Sequence, residues 1–340
     1  MDAHHRRFIV WVTGCCACMV LGALVLNFLA DPFWLVDRRA ERNDSSALDT
    51  QMRQAKALQL MARDLEQPLK VVFIGSSTVY RGLNPAVLDY PPGAVYNLGI
   101  SSLRMAEARA FARRLLQVAA PEVVVVGLDF FQFDGLRQVE SGFDPGLGTW
   151  NNALESLLSA GISGNAVSNS LSVLRARARG NAPGKGWMRD GYRKTTPERS
   201  DTAIKAHMAG AMSVYGHADM RIERPYEELH AMLAELQDHH VVALLYLSPL
   251  HPRYEDAIRM ADKWPQYLAW RTRVKAVAAA LGLDLFEPDL RQRFPGYGFD
   301  ADSGFNDPAH FSEAVGTLIL RGLGLPIRAT ANGVIGRPGP

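Results

Sequence analysis

Three short apolar runs recur along the chain, and each stops at residues capable of chemistry: Lys70-Val-Val-Phe-Ile-Gly-Ser-Ser-Thr78, Glu122-Val-Val-Val-Val-Gly-Leu-Asp129 and His240-Val-Val-Ala-Leu-Leu-Tyr-Leu-Ser-Pro-Leu-His251. Continuous valine-rich runs of this length, without polar alternation, suit strands buried on both faces. They predict strands over 69–74, 122–128 and 240–247, with shorter ones over 94–97 and 283–286. Helical stretches separate them at 103–118, 252–261, 265–281 and 312–323, and another at 47–65 leads into the first strand. Ser312 is placed to cap the last helix, with Glu313 in its first turn. Strands alternating with helices predict an α/β fold: a flavodoxin-like three-layer α/β/α arrangement around a parallel five-stranded sheet.

In such sheets ligands bind beyond the carboxyl ends of the strands. Ser77, Gly99, Asp129 and His251 all follow strand ends, so the topology gathers them at one edge. Far downstream, Asn306-Asp-Pro-Ala-His-Phe-Ser312 supplies an acid and an imidazole three residues apart. A serine hydroxyl is a weak nucleophile until a base takes its proton, and that base needs a third group to orient it. Asp307, His310 and one hydroxyl of the Ser76-Ser77 pair are the parts of such a triad. His251, in the turn Ser248-Pro-Leu-His-Pro252, is a candidate substrate contact at the same edge. The other histidines stand in ordinary helical, pre-strand or N-terminal contexts.

These blocks carry a family resemblance. The chain resembles the SGNH (GDSL-like) hydrolase and acetyltransferase superfamily over residues 66–325. Gly75-Ser76-Ser77 is similar to the nucleophile block, usually Gly-Asp-Ser, whose third position selects Ser77. Asn97-Leu-Gly-Ile-Ser-Ser102 resembles the second block, which implies an oxyanion role for the Gly99 amide. Asp307-Pro-Ala-His310 is similar to the closing Asp-x-x-His block. The resemblance is nearest to the membrane-anchored bacterial branch that includes relatives of alginate acetylation proteins and of the D-alanyl transfer protein DltD. It implies an esterase or O-acyltransferase acting on O-acetyl groups of a cell-surface polysaccharide, with an acylated glycan as substrate and a membrane-bound acyl-transfer partner. One block departs. Where the family has Gly-x-Asn-Asp, this chain has Gly127-Leu-Asp129-Phe, and an ionised carboxylate cannot donate to an oxyanion. Asp129 must therefore be protonated, point elsewhere, or be replaced by another donor. The alternative it raises is a catalytically inactive scaffold that binds glycan or a partner in a polysaccharide export or modification complex.

Phe8 to Ala30 contains no charged residue and follows Arg6-Arg7. A bilayer takes about 20 apolar residues to cross, and no small-residue cleavage site is visible, so residues 1–30 are expected to be an uncleaved signal anchor. Arginines flank both ends, so the positive-inside count does not orient the span. The N-terminal position and the resemblance imply a single-pass inner-membrane protein with its soluble domain in the periplasm. Cys15, Cys16 and Cys18 all lie in the span, leaving the domain to fold without disulfides. The stretch before Cys15 is too short for a lipoprotein signal.

Residues 31–65 read as a polar juxtamembrane linker and a helix. Residues 135–225 break the strand rhythm and predict a helical insertion or lid, and 326–340 a disordered tail. A net charge of +2 argues against a nucleic-acid partner, and Arg175-Ala-Arg-Ala-Arg179 reads as a solvated helix face. No zinc-spaced Cys/His cluster, phosphate loop or dinucleotide fingerprint occurs, so no metal or cofactor is expected.

Overall fold

The computed structural model describes residues 3–37, 41–42, 46–137, 139, 143–144, 146, 148–180, 186–198, 200–290 and 304–328. The expected tail beyond residue 328 lies outside the described residues. Strands β1 (Val71–Ile74), β2 (Val95–Asn97), β3 (Val123–Leu128), β4 (Val242–Leu247) and β5 (Leu285–Phe286) form one five-stranded sheet in the order β2-β1-β3-β4-β5. Every pairing in it is parallel. This is the flavodoxin-like order, and it reverses direction between β1 and β3, where a ligand crevice opens.

The valine runs pair because they are apolar on both sides. Val72, Ile74, Val124, Val126 and Leu245 face one core, and Val71, Phe73, Val125 and Tyr246 face a second. Among the described residues the α-helices of six residues or more are, in chain order, α1 (Ala3–Ala30), α2 (Met52–Glu66), α3 (Ser77–Gly82), α4 (Met105–Val118), α5 (Ala153–Gly161), α6 (Gly164–Ala178), α7 (Asp201–Gly216), α8 (Arg224–Asp238), α9 (Pro252–Met260), α10 (Trp264–Ala280) and α11 (Glu313–Gly322). Residues of α2, α4, α8 and α10 cover the first face, and residues of α3 and α11 the second. Each fully buried valine, leucine or phenylalanine in these layers contributes roughly 1.5–3 kcal/mol.

Two expectations change on folding. Residues 31–37 are no loose linker. Phe33 and Trp34 are buried with Leu58, Tyr80 and Trp187, and the Asp31 carboxylate accepts backbone N–H bonds from Leu35, Val36 and Asp37. The helix expected over 47–65 is interrupted at Gln51, whose φ of −135° and ψ of 47° are not helical. Side chains beside the break reach across the fold instead: Thr50 Oγ1 lies 3.2 Å from Asn169 Oδ1, and Trp187 Nε1 donates to Asp49.

The stretch 135–225 is largely helical and divides its work. Helices α5 and α6 pack on α1, while α7 packs on α9 near the sheet's carboxyl edge. Trp187–Met188 pairs antiparallel with Glu41–Arg42, tying the insertion to the segment that follows α1. Helix α1 is long and apolar enough to cross a membrane.

Candidate active site

Strand β1 delivers Ser77. The chain turns at Gly75, where a Cβ would lie 2.4 Å from a Val79 methyl and 2.9 Å from the Gly127 carbonyl oxygen of β3. Only glycine allows that approach. Ser76 then caps α3, its Oγ accepting from the Thr78 N–H at 3.2 Å, so Ser77 opens the helix with its side chain at the crevice. The C-terminal hairpin of β6 (Phe305–Asp307) and β7 (His310–Phe311) approaches from the opposite side.

The two segments, more than two hundred residues apart in sequence, meet through hydrogen bonds. Ser77 Oγ lies 2.8 Å from His310 Nε2. His310 Nδ1 lies 2.7 Å and 2.8 Å from the two Asp307 carboxylate oxygens. A carboxylate opposite Nδ1 holds the proton there, which leaves Nε2 as an acceptor for the serine hydroxyl. Asp307 is also held by the Ala309 N–H at 2.9 Å. Burial alone would raise its pKa, but the hydrogen bond and charge of His310 outweigh that and bring it to about 2. His310 is pushed below the ordinary imidazole value, first by burial and also by the Arg81 charge, against the opposing bond to Asp307. The imidazole is therefore neutral at neutral pH and able to accept a proton.

Three residues around this chain of bonds were not singled out by sequence. Arg81 follows Ser77 by one helical turn, and its Nη1 donates to Asp307 Oδ2 at 3.2 Å. The same nitrogen lies 3.2 Å from His310 Nδ1; with Nδ1 protonated these are two donors, so the favourable bond is the one to the carboxylate. The i, i+4 spacing of Ser77 and Arg81 was a usable signal. His207, from α7 of the insertion, stands 3.9 Å from Asp307 Oδ2 and edge-on to the His310 ring. Nothing in its local sequence marks it. Ser102 has a positive φ of 53° and lines the same cavity as Ser77 and His310. Left-handed backbone is uncommon for serine, and no residue-type rule would predict it there.

Gly99 serves the fold. Its N–H donates to Asn97 Oδ1 at 2.9 Å, while the Asn97 amide donates to the Val79 and Leu83 carbonyls. A Cβ at Gly99 would come within 2.6 Å of the Tyr80 nitrogen, so glycine is needed for close approach to α3. His251 lies at the expected strand end but is buried. Its Nδ1 accepts from the Arg253 N–H at 3.1 Å as the cap of α9, and its ring packs edge-on against Phe305.

Asp129 is drawn into a cluster of hydroxyls. Its carboxylate accepts from Ser76 Oγ and from Thr78 Oγ1 at 3.1 Å, and Ser248 Oγ joins Thr78 at 3.3 Å. Burial raises its pKa, opposed by the bonds from Ser76, Ser248 and Thr78. Among the described residues no cation pairs with it. Ser76 is thereby bound to Asp129, while Ser77 is the hydroxyl facing the imidazole. The cavity at this edge has a volume of about 140 Å³ and is walled by Phe130, Tyr215, Tyr254, Tyr267 and Trp270. Among the described residues no group of His, Cys, Asp and Glu is placed to hold a metal ion.

No protein-family model and no curated protein matches the chain. Among solved structures it is similar to the crystal structure of the lipase/acylhydrolase from Enterococcus faecalis, at 13% identity and a TM-score of 0.38, covering 77% of this chain and 100% of that one.

Proposed function

We propose that the chain is a serine esterase or O-acyltransferase of the SGNH type, moving short acyl groups, foremost O-acetyl, on a cell-surface polysaccharide. The observation that carries the reading is the continuous run Ser77–His310–Asp307 at the wall of a small aromatic cavity. Ser77 Oγ attacks the acyl carbonyl as its proton passes to His310 Nε2. The tetrahedral intermediate collapses to an acyl-serine, and His310 returns the proton to the departing alkoxide. Water, for hydrolysis, or a glycan hydroxyl, for transfer, then gives its proton to His310 and attacks the acyl-serine, and His310 passes that proton to the departing Ser77 oxygen. Asp307 holds the imidazole tautomer and stabilises the imidazolium formed in both halves.

The developing oxyanion needs donors. Gly99 is the one implied by the family resemblance, but its amide is engaged by Asn97. The N–H groups of Ser77 and Ser102 are the better candidates, since both residues line the cavity and neither amide has a partner among the described residues. The size of the cavity favours a short acyl group, and its aromatic walls suit packing against a sugar ring. Asp129, bound to Ser76 and Thr78 and with a raised pKa, does not present a bare charge to the oxyanion, which favours an active site over an inert scaffold.

Helix α1 supports the further reading of a membrane anchor; an inner-membrane location, the domain in the periplasm and a membrane-bound acyl-transfer partner are carried over from the family resemblance. A fluorophosphonate probe tests the chemistry. It should label the wild-type chain and not Ser77→Ala, with His310→Ala strongly slowed. Equal labelling of wild type and Ser77→Ala, or none of either in a folded sample, overturns the reading.

A further inference from the structure

Helix α5 is apolar on the wrong side for a soluble domain. Leu154, Leu157 and Leu158 are 71%, 61% and 45% exposed, whereas Ser156 is fully buried. Its hydroxyl accepts from the Gly148 N–H at 2.7 Å. Positions 154, 157 and 158 fall on one helical face, and Ile162, just past the helix end, extends it. Trp150 before the helix and Leu171 on α6 are exposed as well. Surface helices of globular proteins put this stripe inward, and a contiguous exposed apolar face of this kind marks an interaction site.

The position of the stripe identifies what it meets. The turn between α5 and α6 is seated on the last two turns of α1. Asn27 of α1 donates to the Gly161 carbonyl at 2.7 Å, and Ser170 donates back to Asn27 Oδ1 at 2.5 Å. A Cβ added to Gly161 would lie 2.9 Å from a Leu24 methyl. Leu24 precedes Ala30 by six residues, about 9 Å along a helix axis. The turn thus sits inside the apolar length of α1, at the depth of roughly 5–10 Å to which interfacial helices sink. Asn27 is the one carboxamide in the Phe8–Ala30 run, and the hairpin satisfies it where lipid could not. At the other end of α6, Arg177 bonds the Leu29 and Ala30 carbonyls. Arg175 and Arg179 flank it on the exposed surface, level with the end of the span, where anionic headgroups attract basic side chains. The one carboxylate on α5, Glu155, lies to the flank of the leucine stripe rather than within it.

We propose that the α5–α6 hairpin is a second membrane contact, with its leucine face seated in the boundary between headgroups and acyl chains of the leaflet from which α1 emerges. A second contact fixes what the anchor alone does not: the tilt of the domain, and with it the height of the Ser77 crevice above the bilayer. The inference rests on reading α1 as a membrane anchor, and the test separates the two.

The full chain, with Cys15, Cys16 and Cys18 replaced by alanine, is reconstituted in vesicles of phosphatidylethanolamine and phosphatidylglycerol. A single cysteine is placed at Leu157→Cys, restored at Cys18, or placed at the exposed Leu268→Cys on α10, and carries an environment-sensitive fluorophore. None of the three side chains is covered by the rest of the protein, so labelling does not disturb packing. With brominated lipid present, fluorescence should be lost at positions 157 and 18 and retained at 268. Loss at 18 alone overturns the hairpin contact and leaves the anchor, pointing to a protein partner or self-association on that face. Loss at none of the sites overturns the anchor and the hairpin together. Equal loss at all three shows the whole domain lying on lipid and overturns a specific hairpin contact.

Discussion

Asp307→Asn isolates the part of the site that electrostatics built. The Ala309 N–H donates to Oδ1 at 2.9 Å, so an asparagine there keeps its carbonyl at the Oδ1 position and puts its NH2 where Oδ2 was. That NH2 then faces His310 Nδ1 at about 2.8 Å and Arg81 Nη1 at about 3.2 Å, a donor against two donors. The imidazole either keeps its Nδ1 proton on the Oδ1 carbonyl, 2.7 Å away, or moves it to Nε2, where it can no longer accept from Ser77. The charge contribution can be sized. Asp307 titrates at about 2 rather than at the usual 3.8, which corresponds to about 2 kcal/mol in favour of the carboxylate. The variant loses the charge that stabilises the imidazolium, and a complete tautomer switch extends the loss toward about 10⁴-fold. The assay is kcat/KM on p-nitrophenyl acetate across pH, with Ser77→Ala as background. A variant within about threefold of wild type, with turnover still dependent on Ser77, refutes the argument that Asp307 fixes the imidazole. The same group affects stability. Its folded pKa lies below the unfolded one, so its contribution is full above the usual carboxylate pKa and is lost as pH falls from 3.8 through about 2. Acid unfolding of Asp307→Asn should lack that component.

Asp129→Asn should keep or raise activity on a small acetyl ester, because a neutral amide satisfies the same hydroxyls; abolished activity in a folded variant would assign Asp129 a role of its own. The folded pKa of Asp129 is raised by burial, so its stabilising effect is present in acid and lost as pH rises through that value. Thermal denaturation should accordingly show Asp129→Asn gaining stability over wild type as pH increases, and a parallel pair of curves would contradict this. Arg81→Gln removes a charge that lowers the His310 pKa, so the acidic limb of kcat/KM, which follows deprotonation of His310, should move to higher pH, and an unmoved midpoint would rule out Arg81 as an influence on the base. Gly99→Ala places a methyl 2.6 Å from the Tyr80 nitrogen and should cost about 1–3 kcal/mol in denaturant unfolding; a neutral result would show that α3 can retreat.

Local sequence was enough for the sheet and brought out the two candidate blocks, with the choice of Ser77 over Ser76 taken from the family resemblance. Valine runs with no polar alternation are stable only when both faces are covered, so they announced a parallel sheet before any contact was known. Gly75-Ser-Ser77 and Asp307-Pro-Ala-His310 were legible because each block is short and its spacing is set by a single turn. Other features depended on long-range packing. Nothing local tells that Asn97 reaches the Val79 and Leu83 carbonyls, that the His251 ring packs against Phe305, or that Ser102 takes a left-handed backbone at the cavity wall. Within the stretch 31–45, read as a polar linker, Phe33 and Trp34 are buried, and Asp31 satisfies its carboxylate on backbone amides rather than in water. The insertion carried the least signal. Its helices lack a simple inward stripe, since α5 turns leucines outward beside α1 and α7 turns His207 toward a carboxylate a hundred residues away in sequence. Periodicity records which face of an element is apolar. What that face meets, and which charge stands beside an imidazole, is decided only when distant segments pack together.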